Sequence, residues 1–157
     1  MLLALNSPVI QQGSYFSHNG AAHGEFLALR SIDGGAVIGP DALSRTLLDI
    51  DQLGKVGLGN EAPTLTALGT AKRLLSEAQV EKPIYAMPSV IEGSEGDLLI
   101  HWDTAVKNVV LICPASPGKP PQIYREVLKG RKAVSSQISD ASPKALSDAL
   151  TWVLQAK

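Results

Sequence analysis

Residues 97–114, DLLIHWDTAVKNVVLICP, hold two apolar runs on either side of a short polar turn. In the first run Leu98, Ile100 and Trp102 alternate with Leu99, His101 and Asp103; in the second, Val109, Leu111 and Cys113 alternate with Val110 and Ile112. A period of two sends successive side chains to opposite faces of a strand, so the stretch predicts a β-hairpin. Both faces of the second arm are apolar, which predicts a central strand covered on both sides.

Downstream, residues 116–121 (SPGKPP) form a stiff connection, residues 122–128 predict a third strand and residues 133–138 a fourth. A closing helix is well marked, with Ser142 as N-cap, Pro143 in the first helical position, and Leu146, Leu150, Val153 and Leu154 as its buried stripe beside Trp152. Upstream, Pro83 and Pro88 bracket residues 84–87, which predicts an edge segment because proline cannot donate to a central ladder. A helix over about 60–81 carries Leu68, Ala71, Leu75 and Ala78 on one face, with Pro63 in its first turn. Before it, Asp41 can cap a helix bearing Leu43, Leu47 and Ile50, ended by Gly54, Gly57 and Gly59. Residues 26–38 have the pattern of a short hairpin around Asp33, Gly34 and Gly35, and residues 1–24 show no sustained period. The expected fold class is α+β: an antiparallel β-meander with helices packed on one face, preceded by an irregular N-terminal arm. One domain spanning 1–157 is expected, with 1–24 as arm and 25–157 as folded body.

With 45% hydrophobic and 18% charged residues, the 157-residue chain has the balance of a globular domain able to bury a core. Aromatic residues are only 4%, so aliphatic side chains must build that core, with Trp102 and Trp152 as the largest possible anchors. A formal net charge of −1 argues against a general polyanion binder, whose affinity needs clustered Lys and Arg against phosphates. The single cysteine, Cys113, excludes an intrachain disulfide or a cysteine zinc framework. The opening MLLALNSPVIQQ lacks the basic and apolar regions of a secretory leader, and no apolar run approaches the length of a bilayer span. A cytoplasmic protein is expected.

Four groups of residues bear on chemistry. His18, His23 and Glu25 are ordinary metal ligands, but their spacing is not that of a helical ligand pair, and only a loop could converge them. His101 and Asp103 share one face of a strand, the arrangement of an oriented general base, yet no nucleophile motif accompanies them. The glycines at 54, 57 and 59 match neither dinucleotide nor P-loop spacing. Arg125, Lys129, Arg131 and Lys132 form the densest basic cluster, suited to an acidic partner; only Tyr124 is near for base stacking, so nucleic acid is the weaker reading. Cys113, between Ile112 and Pro114, reads as a small buried hydrophobe.

The pattern of a Leu-rich helix, a Pro-flanked segment, the Gly96 to Trp102 strand and the return run Asn108 to Ile112 resembles the central part of small uncharacterised bacterial proteins with such a Gly-to-Trp hairpin, over residues 65–128. That resemblance implies an accessory protein working with a partner and carries no catalytic residues. The resulting expectation is a non-enzymatic protein-interaction module without cofactor, an accessory or inhibitory/regulatory subunit of a bacterial two-component system. Its partner is another protein chain or a second copy of itself, contacted through Arg125, Lys129, Arg131 and Lys132. The alternative expectation is a metal-dependent hydrolase or nuclease using His18, His23 and Glu25, with His101 and Asp103 in support.

Overall fold

The computed structural model describes residues 41–56, 62–82 and 87–155, all within the compact unit Gly34–Lys157. Helices α1 (Asp41–Val56) and α2 (Leu65–Glu81) precede strands β1 (Ser89–Glu92), β2 (Leu98–Asp103), β3 (Lys107–Cys113), β4 (Gln122–Lys129) and β5 (Lys132–Ile138), and helix α3 (Pro143–Leu154) follows. The five strands form one antiparallel meander in the order β1-β2-β3-β4-β5, with the helices on one face, as the sequence pattern predicts. No helix among the described residues is long and apolar enough to cross a membrane.

Alternation decides which face is buried. Leu98, Ile100 and Trp102 of β2, Val109, Leu111 and Cys113 of β3, and Ile123 of β4 meet Leu68, Ala71, Leu74, Leu75 and Ala78 of α2 and Leu146, Ala149, Leu150 and Val153 of α3. Ile50 joins this core from α1. β3 is the middle strand; its other face holds Val110, which is 4% exposed, and the half-buried Ile112. Ser142 caps α3 by accepting from the Ala145 N–H at 3.1 Å, with Pro143 next.

Boundaries differ from the sequence reading at α1, α2 and α3. α1 does not stop at Gly54 but runs on to Val56, and a Cβ at Gly54 would lie 2.9 Å from Leu68 Cδ1. That glycine lets α1 approach α2 instead of ending the helix. α2 starts at Leu65, because Thr64 Oγ1 accepts from the Ala67 N–H at 3.3 Å; Pro63 therefore precedes the cap and does not occupy the first turn. The edge strand β1 begins after Pro88, while residues 83–86 lie outside the described residues, as do the hairpin expected at 26–38 and the arm at 1–24. Leu154 is 43% exposed, so the α3 stripe ends at Val153.

The start of β2 is fixed by Gly96, whose φ of +83° suits a residue without Cβ; an added Cβ would meet Thr64 Cγ2 at 3.0 Å and the Ala62 carbonyl at 3.2 Å. The Gly96 carbonyl accepts from the Thr64 N–H at 3.0 Å, and Asp97 Oδ1 accepts from the Ala115 N–H at 2.7 Å. The N-terminus of α2 is thus tied to both strands of the central hairpin. At the helix surfaces Lys72 pairs with Asp51 and Lys144 with Asp148, exposed contacts of small energetic weight.

Candidate functional site

The β4–β5 hairpin leaves the helix layer behind. Its two-residue turn, Gly130 and Arg131, is closed by the Lys129–Lys132 pair, and Gly130 alone of the two has positive φ, at +64°. Glycine at the first central position is the mark of a type II′ turn, whose twist matches that of the strands. Ile123 sits in the core, and alternation from it places Arg125, Val127 and Lys129 on the helix side of β4; the register places Lys132, Val134 and Ser136 on the same side of β5. Three of the four basic residues expected to meet a partner therefore share one face, and Arg131 occupies the turn beside them.

They do not share one role. Arg125 is half-buried with its guanidinium carbon 5.6 Å from the centre of the Trp152 ring. Lys107, 7% exposed, lies 5.1 Å from that same ring, and its Nζ donates to the carbonyls of Trp152 at 2.9 Å and Gln155 at 2.6 Å. A cation is well matched to the partial negative charge at a helix C-terminus, so Lys107, Trp152 and Arg125 fasten α3 to the sheet. Lys129, Arg131 and Lys132 are exposed at the hairpin tip. Tyr124 stands on the opposite face of β4, where its hydroxyl donates to Glu126 Oε2 at 3.2 Å, so it offers the basic tip no stacking platform.

The feature that composition did not flag is backbone. Among the described residues β5 is the last strand of the sheet, and six of its seven residues are exposed. The Leu128 N–H donates to the Val106 carbonyl at 2.8 Å, so the backbone of Leu128 faces β3 and those of Val127 and Lys129 face β5. It follows that Lys132, Val134, Ser136 and Ile138 bond to β4, and that Ala133, Ser135 and Gln137 turn their N–H and C=O groups to the free edge. Natural edges are usually guarded by charge, proline, a bulge or shortness. β1, the other edge, is four residues long, follows Pro88 and ends at Glu92. β5 has seven residues in unbroken register, and after Lys132 it has neither charge nor proline. The signal was present in the sequence as the neutral run AVSSQI at 133–138.

His101 and Asp103 lie on the sheet face away from the helices, while Trp102, between them, is 2% exposed in the core. His101 is half-buried; its Nε2 and the Oδ1 of Asn108 are buried with no hydrogen-bond partner. Burial pushes the imidazole below its ordinary pKa, partly offset by the Asp103 charge. Above the ordinary histidine range the imidazole is neutral in both folded and unfolded chains and contributes no pH dependence. As pH falls through about 6.5 the unfolded chain takes the proton first, and stability drops until the folded chain also protonates. Thermal melts from about pH 7.5 to about pH 5 are thus expected to show a falling midpoint, and a smaller fall in His101→Phe. An equal fall in both would contradict a neutral, buried His101.

Among the described residues no three His, Cys, Asp or Glu side chains gather to hold a metal ion. His18, His23 and Glu25 lie outside the described residues. Cys113 is fully buried and its thiol is pushed up to about 12 by burial, so at neutral pH it carries no nucleophilic thiolate. Comparison of the chain with family models, with curated proteins and with solved structures gives no match.

Proposed function

We propose that the protein is a non-enzymatic interaction module that binds another polypeptide chain along the β5 edge, with the basic hairpin tip steering an acidic segment of that chain. The observation that carries this is the outer edge of β5, unpaired among the described residues and uncharged over residues 133–138, beside exposed Lys129, Arg131 and Lys132. An extended segment added to such an edge gains main-chain hydrogen bonds for affinity, and flanking charges set direction and on-rate. In this reading the protein is an accessory or regulatory subunit of a bacterial two-component system working in the cytoplasm.

Affinity capture of the full chain from its native cell, followed by mass spectrometry, tests this. A defined chain is expected with the wild type and is expected to be lost with Lys129→Glu/Arg131→Glu/Lys132→Glu. Recovery of the same chain by the charge-reversed variant would overturn the role of the tip.

A further inference from the structure

We infer that β5 pairs antiparallel with β5 of a second copy, about a two-fold axis at Ser135, joining two five-stranded sheets into one of ten strands. This rests on the interaction reading above and names the partner as the chain itself.

The outward backbone groups belong to Ala133, Ser135 and Gln137, as derived from the Leu128 to Val106 hydrogen bond and the β4–β5 register. A two-fold axis through Ser135 sets Ser135 opposite Ser135 and Ala133 opposite Gln137 of the second copy. Every outward N–H and C=O then finds an outward partner, and the register satisfies all three residues of both copies at once. Shifting by two residues in either direction leaves some of them unpaired. Such a contact is isologous, so it closes at two copies and leaves no edge of the same kind for growth into fibres.

Charge fits the same register. Lys132 is the only ionisable residue of β5, and it would face Ile138 of the second copy. The two Lys132 side chains are then six residues of strand apart, about 20 Å, well beyond the screening length of about 8 Å in physiological salt. The turn formed by Gly130 and Arg131 would lie alongside exposed Asp140 of the other copy, so each basic tip meets a carboxylate. On the helix side Val134, 48% exposed, would sit opposite Ser136 and diagonal to Val134 of its counterpart, removing apolar surface from water at the seam. Because the axis is normal to the sheet, both helix layers lie on the same side of the extended sheet.

Sedimentation velocity of the full chain from about 1 to about 100 µM, the range expected of a small strand-to-strand interface, should show monomer converting to dimer. Ser135→Lys puts two like charges face to face at the axis and is expected to stay monomeric over that range, with an unchanged far-UV spectrum because position 135 is exposed. If Ser135→Lys should fail to fold, cross-linking decides: opposed Ser135 positions have Cα atoms about 5.5 Å apart, within disulfide reach. Ser135→Cys is then expected to form a disulfide dimer under mild oxidation, and Ala133→Cys, displaced four residues from its own copy, is not. The native Cys113 is fully buried and takes no part. A wild type that stays monomeric at every concentration, self-association unaltered by Ser135→Lys, or equal cross-linking from both cysteine variants would each overturn the inference. Monomeric behaviour combined with tip-dependent capture of a different chain would sink the two-fold pairing while leaving the interaction reading standing.

Discussion

Trp102→Ala is expected to lower the stability of the fold by about 3–5 kcal/mol, the range for deleting a large buried aromatic side chain. Trp102 is 2% exposed on β2, directly across from Val109 of β3, and it is the largest fully buried side chain. Aromatic residues are only 4% of the chain, so aliphatic neighbours must fill any void left behind. They are themselves held by α2 and α3 and can collapse into it only in part. The indole Nε1 is buried without a hydrogen-bond partner, so Trp102→Phe gives up no polar contact and should cost markedly less than alanine. Denaturant titration followed by far-UV circular dichroism measures both; equal costs for Phe and Ala would contradict the role of Trp102 as volume in the core.

Lys107→Met comes second, with an expected loss of about 2–3 kcal/mol, since hydrogen bonds to charged groups contribute about 1.5–3 kcal/mol each and partly overlap here. Methionine keeps most of the apolar stem but removes the ammonium that donates to the carbonyls of Trp152 and Gln155. The last turn of α3 then loses its cation and the sheet loses one of the two charges packed against the Trp152 ring. Lys119→Met, on an exposed connection, is the matched control and should change stability little. In a Trp102→Phe background, Trp152 fluorescence should shift for Lys107→Met and stay unchanged for Lys119→Met. A Lys107 variant as stable as the control would show that α3 is fastened by its apolar stripe alone.

The central hairpin and α3 were legible in the sequence because their signals are local: a period of two through Leu98, Ile100 and Trp102, and Ser142 followed by Pro143. Where two local readings were both allowed, sequence could not choose. Pro63 fits the first turn of a helix or the position before its cap, and only the Thr64 side chain bonding Ala67 decides between them. Gly54 reads as a terminator until the nearness of Leu68 shows that it permits two helices to meet. The basic cluster at 125–132 was visible, but its division was not, because Arg125 meets Trp152, as Lys107 does, across a long stretch of chain. The edge position of the 133–138 strand follows from the meander read in the sequence, whereas which of its backbone groups face outward needed the β4–β5 register.

Side-by-side capture from the native cell decides whether the β4–β5 hairpin is where this protein meets another chain. Wild type, the Lys129→Glu/Arg131→Glu/Lys132→Glu variant and an Arg45→Glu/Lys55→Glu control on α1 would be compared, the control residues being equally exposed but on a different element. One defined chain, this protein or another, should be recovered with the wild type and the α1 control and fall away with the hairpin variant. Undiminished recovery by the hairpin variant, or the same loss from the α1 control, would show that the partner is held elsewhere.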